Sequence, residues 1–187
     1  VLNKLAFNSY NKFYREHLQG LKGELSLKTS FDVNLENKND ALLINAQIEN
    51  IINLSNLDVL YKQLHHTSKN INWSGKTSYN SNGQIEVSGN LTLDNSRTSD
   101  IQQQYQLVDL KQLTLKNLST DLNIIKFEQF GLSDIKLVTD KNSGQFINIE
   151  KLVVDQFEFD QKERQLTIQT VGLSNPEIVV TLNTDQQ

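Results

Sequence analysis

The side chains of this chain that could do chemistry are three histidines and a set of dispersed carboxylates, because cysteine is absent. His65 and His66 are adjacent, so in a strand they would point to opposite faces, and no third ligand follows in phase. We interpret both as residues of a solvated loop rather than as metal ligands. His17 lies on the apolar stripe of a predicted helix, where a histidine is more often packed than catalytic.

The carboxylates of the C-terminal half fall in the outward phases of predicted strands. They include Glu128, Asp134, Glu150, Asp155 and Glu158. Two of them could still meet in space as a glycosidase pair, since such partners can be far apart in sequence. The sequence has no nucleophile elbow, phosphate-binding glycine loop, calcium loop or zinc-protease motif. We therefore expect a protein that is not an enzyme and that binds no cofactor or metal.

Composition indicates that much of the chain faces water. Of the 187 residues, 37% are hydrophobic, and the mean hydropathy is −0.47. The net charge of −4, without any basic block, argues against nucleic-acid binding. No run approaches the ~20 apolar residues of a membrane helix, so any anchor is expected outside this sequence. We expect residues 1–187 to be one β domain or a piece of a longer repetitive chain, with 1–98 and 99–187 as an alternative division.

A short apolar pattern, h-x-x-h-x-h, recurs along the chain and predicts the architecture. It starts at Leu54, Leu110, Leu132, Ile149 and Ile168. In a strand, positions i and i+2 share a face and positions i and i+3 do not. The additional residue therefore predicts a β-bulge that returns the next apolar side chain to the same face and bends the sheet. Regular spacing of such units is typical of stacked β repeats.

The rest of the chain predicts long antiparallel strands after one short helix. Aromatic residues at helical spacing predict the helix over residues 9–19, and we interpret it as a plug at one end of the β structure. Strict alternation after Gly20 predicts the first strand, and Ser81-Asn82-Gly83 predicts a hairpin turn. Residues 61–69 are predicted to form a loop or a helical turn, and Pro176 is predicted to lie between two strands. Gly23 and Gly89 open matching segments and are predicted to mark sheet corners.

These patterns predict a mainly β fold, a curved and incompletely closed antiparallel sheet resembling a taco or an open barrel. One face of the sheet is expected to be apolar throughout. The residues predicted to line it are Leu25, Leu27, Phe31, Val33, Leu91, Leu93, Leu113, Leu115, Ile135, Leu137, Leu152, Val154, Val171 and Leu173. Such a face either packs into a closed core or holds an apolar ligand.

The chain also resembles the AsmA-like family of Gram-negative envelope proteins, in its large branch of unknown function. The resemblance is found in Leu5-x-Phe7-x-x-Tyr10, Gly23-x-Leu25-x-Leu27, Trp73-x-Gly75, Gly89-x-Leu91-x-Leu93, Ile149-x-x-Leu152-x-Val154-x-x-Phe157-x-Phe159 and Ile168-x-x-Val171-x-Leu173-x-x-Pro176. The family is related to TamB and to bridge-like lipid transfer proteins. The resemblance implies a periplasmic protein tethered to the inner membrane, with an elongated β structure that carries phospholipid between the two membranes.

From residues and resemblance together we expect a periplasmic segment whose apolar concave face shelters phospholipid or another acyl-chain ligand. Its role would be lipid transport and outer-membrane biogenesis. The alternative is a structural or partner-binding β domain of the envelope without a lipid ligand, and a surface adhesin or polysaccharide-binding domain is a third class. The segment Glu177–Leu182 contains little charge, so we also expect self-association through that edge strand.

Overall fold

The computed structural model describes residues 18–38, 41–121, 123–140 and 145–179, which form one antiparallel β-sheet and its turns. The strands are β1 (Leu18–Lys38), β2 (Ala41–Tyr61), β3 (Leu64–Asn80), β4 (Ile85–Asp100), β5 (Tyr105–Thr120), β6 (Ile124–Asp140), β7 (Gln145–Asp160) and β8 (Gln165–Val179). Their order in the sheet is their order in the chain, and β1 and β8 are its two edges. The prediction of a mainly β, antiparallel and unclosed sheet is confirmed.

The predicted N-terminal helix is not found where the structure can test it. Its residues up to 17 lie outside the described part of the chain, and Leu18 and Gln19 already belong to β1. The described residues contain no helix. The aromatic stripe that motivated the helix therefore ends at the point where the two-residue period of β1 begins.

Left-handed backbone conformations interrupt the ladder inside four of the strands. Asn56 of β2, Asn95 of β4, Asp134 of β6 and Asn175 of β8 have φ values of 52°, 49°, 47° and 45°. Asparagine and aspartate tolerate this region better than other residues with a Cβ, because their short polar side chains can hydrogen-bond locally. The four residues stand at matching places, one in every even-numbered strand, and the regular pairing of the ladder skips them.

A second line of interruptions crosses the C-terminal half of the sheet. Asn117 of β5 and Gln156 of β7 have φ values of 52° and 54°. Together the two lines interrupt the ladder within each of the five h-x-x-h segments identified from sequence, either at a left-handed residue or at the residue facing one. The predicted irregularity is therefore present, but it is not always a β-bulge with one additional residue in a single strand. Where both strands skip one residue, the register stays constant across the interruption.

The left-handed residues also define an internal repeat that spans two strands. Each lies third in a segment that begins Leu-Ser/Asp-Asn/Asp, and these segments start at Leu54, Leu93, Leu132 and Leu173. The starts are 39, 39 and 41 positions apart. The repeating unit is therefore one hairpin of two strands. The last four h-x-x-h-x-h segments start 17–22 residues apart, which is the spacing of single strands.

Side-chain caps at the start of the turns fix where the long strands reverse. Asp100 accepts hydrogen bonds from the backbone N–H groups of Gln102 and Gln103, both at 2.9 Å. Asp160 caps Lys162 and Glu163 in the same way, at 2.8 and 3.0 Å. Such local bonds make aspartate a strong turn former. The backbone N–H groups of Ile124 and Asn123 donate hydrogen bonds to the carboxylate of Asp121, and because these bonds favour the charged form they lower the pKa of Asp121.

Several sequence-based boundaries are corrected by the pairing. The predicted loop over residues 61–69 is wrong, because only Lys62 and Gln63 form a turn and β3 begins at Leu64. His65 and His66 therefore lie in a strand. Pro176 is inside edge strand β8 rather than between two strands. The hairpin turn at residues 81–83 is confirmed, and the ladder changes register beside both Gly23 and Gly89.

Replacing a left-handed asparagine by valine tests the role of these interruptions. We expect Asn56→Val to lower the free energy of unfolding by about 1–2 kcal/mol, because valine is β-branched and cannot form the local hydrogen bonds by which asparagine tolerates the left-handed region. Asn56→Gly should retain the stability of the parent. Unfolding in urea measures both changes.

Asn53→Val is the matched control, since Asn53 is exposed on the same strand but has regular partners on both sides. Valine suits a regular strand position, so this variant should be as stable as the parent. Equal stability of Asn56→Val and Asn53→Val would contradict the proposed role of Asn56.

Candidate functional site

Two rows of apolar side chains cross all eight strands without interruption. Residues that pair directly across an antiparallel ladder lie on the same face of the sheet. Successive pairs therefore join Leu25, Leu54, Ile71, Leu93, Leu113, Leu132, Leu152 and Leu173 into one row. The neighbouring row contains Leu27, Ile52, Trp73, Leu91, Leu115, Phe130, Val154 and Val171. We call the side of the sheet that bears these rows the apolar face.

The fourteen residues expected to line an apolar interior all belong to this face. Ten are in the two complete rows. Phe31 begins a further row that includes Ile48 and ends at Leu166, and Val33 pairs with Ala46. Ile135 lies between Leu110 and Ile149, and Leu137 lies between Val108 and Ile147. The sequence-based prediction missed four aromatic residues of this face, Trp73, Phe127, Phe130 and Phe157. The spacings Phe127-x-x-Phe130 and Val154-x-x-Phe157 follow the h-x-x-h pattern and indicated the last three.

Because of the interruptions in the ladder, side chains that are three positions apart in the sequence both lie on the apolar face. The rings of Phe127 and Phe130 have their centroids 6.3 Å apart, although regular alternation would place them on opposite sides. Phe157 of the next strand stacks on Phe127 at 4.5 Å with an interplanar angle of 3°. In β6, Ile135 and Leu137 are shielded while Lys136 between them is exposed. The aromatic contacts therefore bridge the line of interruptions.

The apolar face has no second layer over it in the described part of the chain. Ile135 is the one large apolar side chain of the described residues that is buried, at 7% exposure. Toward the edges exposure rises, to 72% for Phe31 of β1 and 61% for Val171 of β8. A sheet with one apolar side normally buries it against a second layer. The described residues supply no such layer.

One end of the apolar face contains polar groups on β3 and β4. His66 and Thr98 pair in the row of Leu137, and the His66 Nδ1 lies 2.9 Å from the Thr98 Oγ1. Ser68 is 3% exposed and donates a hydrogen bond from its hydroxyl to the carbonyl oxygen of Asp94. Burial, together with the nearby charge of His65, lowers the pKa of His66, so the neutral imidazole is favoured. The apolar face thus has hydrogen-bonding groups at this end.

Trp73 lies against the one place where the apolar face has no side chains. Gly75 and Gly89 pair directly across β3 and β4. A Cβ at Gly75 would stand 2.4 Å from both the Ser88 carbonyl oxygen and the Trp73 Cζ2, and one at Gly89 would stand 2.8 Å from the Trp73 Cη2. The indole therefore occupies the space that side chains at these two positions would need.

The opposite face of the sheet bears many charged residues, and several of them form exposed pairs. Lys111 and Asp134 approach within 2.9 Å, and Lys126 and Glu158 within 3.1 Å. The amides of the left-handed residues Asn117 and Asn175 contact the carboxylates of Glu128 and Glu150. Exposed pairs of this kind contribute little to stability, but they keep this face polar.

Asp155 accepts a hydrogen bond from the Gln129 amide at 2.9 Å. Each of the five carboxylates singled out from sequence is thus paired with an amide or an ammonium group. Within the described residues, no group of three or more histidine, aspartate or glutamate side chains could hold a metal ion.

Comparisons with known proteins add no relative. No protein-family model, no curated protein and no solved structure matches this chain. A search of the described residues for a helix long and apolar enough to span a membrane also finds none. The geometry of the two faces is therefore the basis on which a function can be proposed.

An alanine at Gly75 tests the close packing of Trp73. We expect Gly75→Ala to lower the free energy of unfolding by about 1–3 kcal/mol, because the new methyl group overlaps a backbone oxygen and the indole ring. The fluorescence of Trp73, the one tryptophan of the sequence, should change with it. Urea unfolding followed by fluorescence measures both.

Gly172→Ala is the control, because a Cβ at Gly172 meets no atom within 4 Å. Alanine there should be neutral or stabilise the protein by about 0.4–1 kcal/mol, since it restricts the unfolded chain. A Gly75→Ala variant that is as stable as Gly172→Ala would show that Trp73 does not occupy this space.

Proposed function

We propose that the protein binds the acyl chains of phospholipid, or of a similar amphiphile, along the apolar face. The observation that supports this most strongly is the pair of uninterrupted apolar rows across eight strands with no covering layer in the described residues. Their residues are exposed at both edges of the sheet and half-buried in its centre. An amphiphile on this face would remove that apolar area from water, the dominant favourable term in association.

The size of the apolar face supports an extended ligand rather than a compact one. With strands about 4.8 Å apart and side chains of one face about 6.6 Å apart along each strand, the two complete rows are about 38 Å long and about 13 Å wide, an area of roughly 500 Å². The largest apolar patch of a typical monomer is roughly 300–600 Å². Rows without polar interruption suit a hydrocarbon chain, which needs no hydrogen-bond partner along its length.

The distribution of polar groups supports an amphiphile in particular. His66, Thr98 and Ser68 place hydrogen-bonding atoms at one end of the face, beside the two complete apolar rows. A lipid headgroup needs such partners or water, whereas its acyl chains do not. The neutral state of His66 suits this end, because an isolated charge beside hydrocarbon is strongly disfavoured.

The proposed setting follows the family resemblance of the sequence. We infer a periplasmic segment, tethered to the inner membrane by an anchor outside this sequence, that takes part in phospholipid transport and outer-membrane biogenesis. The alternative use of the same face is contact with a protein of the cell envelope, in a structural or partner-binding role. A lipid-binding measurement separates the two uses, because only the first needs affinity for acyl chains.

Quenching of Trp73 by brominated acyl chains tests the proposal directly. Trp73 lies in the second complete row, between Ile52 and Leu91. Bromine quenches indole fluorescence on contact, so phosphatidylcholine with brominated acyl chains should quench Trp73 in a saturable way. Leu27→Asp should weaken the apparent affinity at least roughly tenfold, about 1.4 kcal/mol, by placing a charge against the chain.

Two matched variants separate the faces. Ser26→Asp adds the same charge to the opposite face, where Ser26 pairs with Asn53, and should leave the affinity unchanged. In a Trp73→Phe background, Asn53→Trp moves the indole to that opposite face and should abolish quenching. Equal quenching of both tryptophans, or none by any brominated lipid, would refute the proposal and favour the partner-binding role.

A further inference from the structure

Edge strand β8 is exposed along nearly its whole length and almost uncharged. Every residue from Gln165 to Ile178 is exposed, and Glu177 is the one charged residue of the strand. Edge strands present unpaired N–H and C=O groups that recruit other chains, and soluble proteins protect them with charge or proline. Pro176 removes one donor near the end of the strand. The remainder of β8 has no such protection.

Edge strand β1 differs in this respect. It contains the charged residues Lys22, Glu24, Lys28, Asp32, Glu36 and Lys38. Lysines on an edge strand disfavour addition of a further strand, because pairing would have to desolvate them or place them beside other groups. Of the two edges, β8 is therefore the one suited to bind a further strand.

The side chains that β8 contributes to the apolar face are arranged symmetrically about Gly172. They lie at Leu166, Ile168, Val171, Leu173, Pro176 and Ile178. Val171 and Leu173 are one position from Gly172, Ile168 and Pro176 are four positions away, and Leu166 and Ile178 are six. The same strand read in the opposite direction therefore presents the same apolar pattern.

We propose that two copies of the protein associate through β8, as an antiparallel pair of edge strands with Gly172 on the twofold axis. Val171 then faces the partner's Leu173, Ile168 faces the partner's Pro176, and Leu166 faces the partner's Ile178. All three contacts lie on the apolar face, so the two sheets form one sixteen-stranded sheet with a continuous apolar side. The left-handed Asn175 of one copy then stands opposite Gln169 of the other. Within one copy, the left-handed Gln156 of β7 stands opposite the same Gln169.

The symmetric pairing places no like charges opposite one another. Glu177 faces Thr167 of the second copy, and the polar face of the junction otherwise contains threonine, glutamine, serine and asparagine. A twofold contact of this kind uses the same patch twice and closes after two copies. It requires no lipid and is independent of the proposed function.

A single cysteine at position 172 tests this register, because the sequence has no cysteine of its own. Directly paired residues of antiparallel strands have Cα atoms about 4.5–5.5 Å apart, within the range of a disulfide. Gly172→Cys should therefore form a disulfide-linked dimer on mild oxidation. Thr167→Cys is the control. Residue 167 lies five residues from the axis, so it is about 34 Å from residue 167 of the second copy and should not cross-link.

Charge exchange at the same position gives a second, non-covalent measurement. Gly172→Lys and Gly172→Glu each place like charges face to face, so each alone should sediment as a monomer. An equal mixture of the two should recover the dimer of the parent, since lysine then faces glutamate. Gly172 tolerates both in one copy, because a Cβ there meets no neighbouring atom.

The outcomes are decisive in both directions. Cross-linking at 172 but not at 167, with recovery of the dimer on mixing, supports the pairing. A parent protein that sediments as a monomer at every concentration would overturn it, as would a dimer that Gly172→Lys leaves unchanged. A disulfide between Gly172→Cys and Ser26→Cys of another copy would show head-to-tail pairing of β8 with β1, and would also overturn the twofold arrangement.

Discussion

The structure depends on the constraint that a single-layer sheet must keep its apolar side chains on one side over strands of 15–21 residues. Regular alternation would satisfy this with an uninterrupted h-x-h-x-h pattern. This chain instead inserts left-handed residues, which shift the phase of the strand while its apolar side chains remain on the same face. Asn56, Asp134 and Asn175 have the residue types for which this conformation costs least. The apolar rows, their exposure and the proposed ligand all follow from that local choice.

Much of the sheet could be predicted because its strands are long and their apolar pattern is local. Alternation after Gly20 and the h-x-x-h segments identified the strands, the interruptions and the fourteen residues of the apolar face. The 39-residue repeat was missed because its signature, Leu-Ser/Asp-Asn/Asp, includes polar residues that occur all over a chain rich in asparagine and glutamine. Without backbone angles, an asparagine inside a strand cannot be distinguished from one in a turn.

The wrong boundaries have a common physical cause. Residues 61–69 contain two histidines and several polar residues, which suggested a loop, yet His66 faces the apolar side as a neutral, half-buried group bonded to Thr98. Pro176 suggested a break between strands, yet an edge strand tolerates proline, because one of its sides has no hydrogen-bond partner. In both cases the position in the sheet, which local sequence does not show, decided the structure.

The two faces divide the roles of the molecule. Exposed charge pairs such as Lys111–Asp134 keep one side polar, while the other side bears the two complete apolar rows. The glycine pair below Trp73 places an aromatic ring within that area rather than above it. The contact between the apolar face and a ligand can therefore involve strands in the centre of the sheet as well as its edges.

The central claim, that left-handed residues keep the apolar face continuous, is tested most directly by cysteine accessibility on either side of Asp134. Single cysteines at Leu132, Ser133, Ile135 and Lys136 would be reacted with a charged, water-soluble thiol reagent. The account predicts fast reaction at 133 and 136 and slow reaction at 132 and 135, a shift of one residue in the alternation. Paired behaviour of 132 with 136, and of 133 with 135, would show an unbroken alternation and contradict it.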